Sequence, residues 1–162
     1  MRFIVLCLML CLLVGAVYGQ EAGALEPAGA RPIDPEAAPR PTAQATRTSN
    51  QIVLDGVLDE PDWQAADSIT GFIQAQPYPG YPASEPTVVR ILYDDQYLYI
   101  GAVCYDSEPD DLTVMSLEQD FSTRDNDLFG LTLDTFLDRR NSFLFAVNPK
   151  GALADFQAFN DG

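Results

Sequence analysis

Histidine is absent from the 162 residues, and positive charge is scarce, with 9 Lys and Arg against 24 Asp and Glu. Without histidine there is no Ser-His-Asp triad, no His-ligated zinc and no haem held by histidine. A net charge of −15 argues against a protein that neutralises the phosphates of nucleic acid. We therefore expect neither haem nor zinc as a cofactor, and no nucleic-acid partner.

Cysteine is also scarce, and two of its three residues, Cys7 and Cys11, lie in an apolar N-terminal run. One basic residue precedes this run and small or branched residues follow it, which is the pattern of a secretory signal peptide over residues 1–19. Its removal would leave Cys104 alone, so no internal disulfide is expected. We expect an exported protein that is periplasmic, outer-membrane-associated or secreted.

Residues 20–49 are rich in Ala, Pro and Gly and show no apolar period. Such a segment buries too little surface to offset its ordering entropy, so it is predicted to be a disordered linker. The acid excess belongs to the remainder of the chain, which has 20 acids against 5 bases from Thr48 onward.

Short β-branched and aromatic segments separated by turns predict strands after residue 50. The strongest pair is residues 87–93 and 97–105, which flank a polar turn and predict a hairpin. Further strands are predicted at residues 51–54, 69–76, 128–135, 143–147 and 153–160, and one helical turn near Pro61. Seven short strands favour an all-β, immunoglobulin-like antiparallel sandwich over residues 50–162. Because the last strand would be an unpaired edge, we expect the sandwich to continue beyond Gly162.

Three blocks of sequence resemble one known family. Residues 52–63 (IVLDGVLDEPDW), 89–100 (VRILYDDQYLYI) and 127–134 (DLFGLTLD) resemble, in this order, the hallmarks of carbohydrate-binding module family 9. Residues 133–141 (LDTFLDRRN) and 147–151 (VNPKG) are closer to the branch that precedes a predicted outer-membrane β-barrel of unknown function. The resemblance implies an immunoglobulin-like sandwich that binds carbohydrate and is associated with glycoside hydrolases. At family sugar-binding positions this chain carries Arg124, Gly130 and Ala146.

Five residues are candidates for binding a polysaccharide or oligosaccharide. Tyr78 and Tyr81 lie in a proline-stiffened loop, where aromatic faces lose little entropy on stacking against a sugar. Arg90, Arg139 and Asn148 would add polar contacts. The alternatives remain open: the tyrosines fold back on the sheet, Arg90 forms a structural ion pair, and Arg139 belongs to a solvated turn.

Carboxylates without histidine or cysteine suit calcium, and Asp106 and Asp127 are the candidate ligands. The alternative is a solubilising acidic surface. No pair of acids is marked for glycoside hydrolysis, so the chain is expected to bind without catalysing. The predicted function is a carbohydrate-binding domain of an exported envelope protein. The alternative is a periplasmic structural domain that packs on a downstream outer-membrane barrel.

Overall fold

The computed structural model describes residues 2–6, 31–34 and 42–159, and these form two β-sheets with little helix. The elements in chain order are β1 (Arg2–Leu6), β2 (Thr46–Arg47), α1 (Pro61–Ala65), β3 (Ser68–Ile69), β4 (Thr87–Tyr93), β5 (Tyr97–Cys104), a 3-10 turn (Pro109–Asp111), β6 (Phe129–Leu133), β7 (Ser142–Val147) and β8 (Leu153–Ala158). The predicted all-β class is confirmed at this level.

The first sheet is built around the predicted hairpin of β4 and β5, which pair antiparallel from Thr87↔Cys104 to Tyr93↔Leu98. Strand β1 runs parallel to the outer edge of β5, and β2 and β3 both pair with β4. The hairpin turn is closed by Asp94, whose Oδ1 accepts the backbone N–H groups of Gln96 and Tyr97, each at 2.7 Å. A carboxylate that bonds the backbone two or three residues on is a turn-forming device.

The second sheet is an antiparallel meander in the order β6-β7-β8. Alternation places Phe129 and Leu131 on the same face as Val147, their neighbour in the ladder, while Gly130 and Ala146 share the opposite face. Pairing continues from Val147↔Leu153 to Ser142↔Ala158. The three predicted strands of this region are confirmed, each with slightly different ends.

Three apolar clusters hold the described part of the chain together. One contains Val89 and Ile100 of the first sheet with Phe129 and Val147 of the second, so the two sheets share a core. On the other face of the first sheet, Trp63 of α1 packs with Leu92 and Tyr99. Trp63 is 1% exposed and is therefore a core residue. Because β5 is covered on both faces, it carries apolar residues on both, as its sequence indicated.

Three parts of the predicted organisation differ from the structure. The strand predicted at residues 69–76 is reduced to β3, which ends at Ile69, and an isolated bridge between Ile73 and Pro82. Residues 51–54 form no strand, and only Ile52 among them is buried. The packed region begins earlier than residue 50, because Thr46–Arg47 pairs with β4 and Thr48 is buried. Within the predicted linker, Ile33 also donates its backbone N–H to the Gly80 carbonyl at 2.8 Å.

Most of the predicted leader and linker lies outside the described residues. Of the predicted signal peptide, residues 1–19, the structure describes only Arg2–Leu6, which forms strand β1 beside β5. Of the predicted linker, residues 20–49, it describes only residues 31–34 and 42–49. No helix in the described ranges has the length and apolar character needed to cross a membrane.

Candidate functional site

The proline-rich loop does not present two free aromatic faces. Tyr81 is only 8% exposed, and Tyr78 is half-buried with its ring edge-on to Tyr81, the centroids 6.0 Å apart and the planes at 64°. The loop is closed by backbone bonds between Gln74 and Tyr81 and between Gly80 and Gln74. The folded-back arrangement, one of the two alternatives raised by the sequence, is therefore what the structure contains for Tyr81.

Asn148 is fully buried and organises the turn after β7. Its side-chain Nδ2 donates to the Ser116 carbonyl at 2.8 Å. Its Oδ1 accepts the backbone N–H groups of Lys150 and Ala152, each at 3.0 Å. With 0% exposure this amide has no surface to offer a sugar, and its role is structural.

Arg90 lies in the middle of β4 on the face that carries α1, directly opposite Gly101 and next to Ser68. It is half-buried, and its Nε is buried without a hydrogen-bond partner. Within the described ranges the one ion pair joins Arg47 and Asp95, both exposed, so the expected carboxylate partner of Arg90 is not found there. A buried N–H without a partner is costly, and the half-buried guanidinium has no carboxylate partner in the described residues, which makes Arg90 a candidate for a ligand or water contact.

The same face of the hairpin ends in an aromatic residue that the sequence analysis did not select. Strand alternation places Tyr105 on the same face as Val103, and Val88 on the same face as Arg90. Because Val88 pairs with Val103, all four residues share one face of the hairpin. Tyr105 is 57% exposed, and its backbone N–H donates to the Pro86 carbonyl. Near the Asp94 turn Trp63 covers this face, whereas Val88 and Val103 are half-exposed. We name Arg90, Val88, Val103 and Tyr105 the open face.

Of the three positions at which the family resemblance places a sugar site, Ala146 is covered by apolar packing, whereas Arg124 and Gly130 are exposed. Gly130 and Ala146 lie opposite each other on the outer face of the second sheet. Ala146 is buried in a cluster with Phe121 and Leu128. Arg124 is exposed in the segment that leads into β6. These positions therefore provide no aromatic clamp in the described residues.

Arg139 lies at the tip of the hairpin between β6 and β7. It is exposed and has φ 58°. Thus the five predicted sugar-binding residues lie on four separate elements, and the only pair in ring contact is Tyr78 and Tyr81. The sequence offered one indication of Tyr105, which is its position at the end of the predicted aromatic strand 97–105.

The two predicted calcium ligands are engaged in separate turns. Asp106 accepts the backbone N–H of Glu108 at 2.8 Å. Asp127 is buried and exchanges two bonds with Thr113, one through its carboxylate at 2.7 Å and one through its backbone N–H. No group of three or more metal-ligating side chains occurs in residues 2–6, 31–34 and 42–159. Calcium binding stays a prediction.

No family model, curated protein or solved structure matches this chain.

Proposed function

We propose that this chain is a carbohydrate-binding domain of an exported envelope protein, with an immunoglobulin-like sandwich similar to carbohydrate-binding module family 9. The two sheets and their shared core support the sandwich. The three resembling blocks correspond to the α1 segment, the β4–β5 hairpin and β6. The N-terminal apolar run supports export.

The open face is the surface best suited to a sugar. An exposed tyrosine ring offers a stacking platform for a pyranose, and Arg90 supplies donors for its hydroxyl groups. The observation that carries the proposal is the unpartnered guanidinium of Arg90 beside an uncovered stretch of the sheet. A bound polyhydroxyl ligand would accept hydrogen bonds from the accessible part of this half-buried guanidinium, for which the described residues provide no carboxylate.

The test is a thermal-shift and calorimetric panel of xylan, cellulose and soluble oligosaccharides. A ligand at ten times its Kd should stabilise the fold by about 1.4 kcal/mol. Tyr105→Ala should abolish the shift produced by any positive glycan. Tyr93→Ala is the matched control, because Tyr93 is 39% exposed but lies on the other face at the opposite end of the hairpin. If no glycan shifts the wild-type melting temperature, the proposal is wrong.

A second candidate is an interaction domain that packs on a partner domain such as an outer-membrane barrel. Strand β8 favours it, since among the described residues it pairs with β7 alone and exposes Leu153 (55%) and Phe156 (43%). An apolar edge strand is a site for association. Amide exchange in β8 should then be fast in this chain alone and slow when the chain is joined to its partner. Equal exchange in both would exclude this function.

A further inference from the structure

The hairpin between β6 and β7, residues 134–141, exposes apolar side chains that no core explains. Phe136 is 65% and Leu137 is 89% exposed, and Arg139 and Arg140 follow them directly. Phe159, 61% exposed, follows Ala158. Because Ala158 pairs with the first residue of β7, Phe159 lies at the same end of the sheet. We name residues 134–141 the tip hairpin.

The tip hairpin is held in one shape by two carboxylates. Asp134 accepts the backbone N–H groups of Phe136, Asp138 and Arg139 at 3.1, 3.3 and 2.8 Å. Asp138 accepts those of Arg140 and Asn141, both at 2.8 Å, and these bonds hold its pKa below the usual value. Leu137 has φ 56°, a left-handed conformation unusual for a side chain of this kind. A preformed loop loses little entropy when it docks.

The same bonds leave the two arginines without a carboxylate. Neither Arg139 nor Arg140 forms an ion pair within the part of the chain that the structure describes. Residues 134–141 carry two acids and two bases, but the carboxylates of Asp134 and Asp138 are bonded to the loop backbone, whereas the two guanidinium groups have no carboxylate partner in the described residues. Two such guanidinium groups beside two exposed apolar side chains suit the surface of an anionic membrane, which offers phosphates above an apolar interior. An acidic polysaccharide would use the arginines but would leave Phe136 and Leu137 without a function, so the apolar pair decides between these partners.

We propose that the tip hairpin docks this protein on an anionic phospholipid membrane. Phe136 and Leu137 insert among the head groups, and Arg139 and Arg140 pair with lipid phosphates. The remainder of the protein is acidic, with a net charge of −15 for the chain. This charge repels the membrane, but salt screens it beyond about 8 Å at physiological ionic strength. The proposed contact is confined to the tip hairpin, so the strands of the second sheet would extend away from the membrane surface.

The test places a reporter at the tip, because the apolar N-terminal run would bind vesicles by itself. The tryptophan emission of Phe136→Trp is compared with that of the wild type. The single tryptophan of the wild type, Trp63, is 1% exposed, so its emission gives the background signal. Leu117→Trp is the matched control. Leu117 is 71% exposed and follows Ser116, which bonds Asn148 at the opposite end of the second sheet.

Vesicles of phosphatidylethanolamine and phosphatidylglycerol should shift the emission of Phe136→Trp to the blue and allow quenching by bromine-labelled lipid chains. Leu117→Trp should respond to neither. Adding Arg139→Glu and Arg140→Glu should weaken the response at least about tenfold, since each basic side chain near an anionic surface contributes roughly fivefold.

Three results would overturn the proposal. One is an unchanged emission of Phe136→Trp with these vesicles, and another is an equal response of Leu117→Trp. The third is a melting-temperature shift with polygalacturonate that needs Arg139 and Arg140, combined with no vesicle response, which would make the tip a glycan site. Unfolding curves of each variant verify the fold, and exposed positions should leave them unchanged.

Discussion

Gly101 is the position in the first sheet where the smallest substitution should have the clearest effect. A Cβ added there would lie 2.8 Å from Leu58 Cδ1 and 2.9 Å from Trp63 Cζ3. Trp63 is 1% exposed and cannot move into solvent, whereas the half-buried Leu58 has some freedom. Overpacking of this kind costs about 1–3 kcal/mol. Alanine recovers about 0.4–1 kcal/mol by restricting the unfolded chain, so we expect a net loss of about 1–2 kcal/mol.

Gly130→Ala is the matched control, because Gly130 is also inside a strand and its nearest neighbour, Leu128 Cδ1, is at 3.5 Å. Neither glycine needs a positive φ. We expect this variant to be unchanged or stabilised by about 0.4–1 kcal/mol. Urea unfolding followed by Trp63 fluorescence and by circular dichroism measures both, since Trp63 is the only tryptophan and lies beside Gly101.

Substitutions at Gly101 and Leu58 should also be energetically coupled. Leu58→Ala removes the methyl groups nearest to the new Cβ, so the double variant should be more stable than the sum of the two single effects, by about 0.5 kcal/mol or more. A Gly101→Ala variant that unfolds at the wild-type urea concentration, or that loses no more than Gly130→Ala, would refute the steric account. Additive effects of Leu58→Ala and Gly101→Ala would refute the assignment of the contact.

Asn148→Ala should destabilise the fold by about 2 kcal/mol in urea unfolding, because it empties a fully buried site and removes the partner of three part-buried backbone groups. Asn141→Ala, at a half-exposed turn position, should cost less. Burial and the bond to Asp94 raise the pKa of Tyr99 to about 12. The unfolded chain ionises near pH 10, so stability should fall between about pH 10 and 12, and Tyr99→Phe should reduce that slope. Bonds from Tyr99 and the backbone lower the pKa of Asp94, so its contribution is present above about pH 4 and is lost below it. Asp94→Asn should flatten the acid limb of a thermal titration, and an unchanged limb would contradict this role.

The strand pattern could be predicted wherever it was encoded by local alternation. The β4 sequence TVVRILY has β-branched residues and a following Asp turn, and its predicted bounds agree with the structure. Residues 51–54 show the limit, since IVL resembles a strand but only Ile52 finds a core, against Trp63 and Leu92. For residues 51–54 to form a strand, a neighbouring strand would need unpaired backbone N–H and C=O groups along its edge. Strand β4 already pairs with β2, β3 and β5. Such competition between segments is not visible in local sequence.

The candidate site was harder to predict because burial decides which polar residues are accessible. Asn148, Asp127 and Tyr81 are the residue types that bind ligands, yet each is less than a tenth exposed. Their roles depend on partners distant in sequence, such as Ser116 for Asn148 at a separation of 32 residues. Tyr105, in contrast, is exposed, and the cover that Trp63 gives this face lies over Leu92 and Tyr99. Where a covering side chain packs is a tertiary property.

The turns of this chain explain part of its acid surplus. Asp55, Asp94, Asp106, Asp134 and Asp138 each accept a backbone N–H two residues further along the chain. A two-sheet protein with short strands has many turns, and aspartate stabilises each by supplying an acceptor where the ladder ends. Part of the charge that suggested calcium therefore follows from the same local chemistry that shapes the tip hairpin, and calcium binding itself stays a prediction.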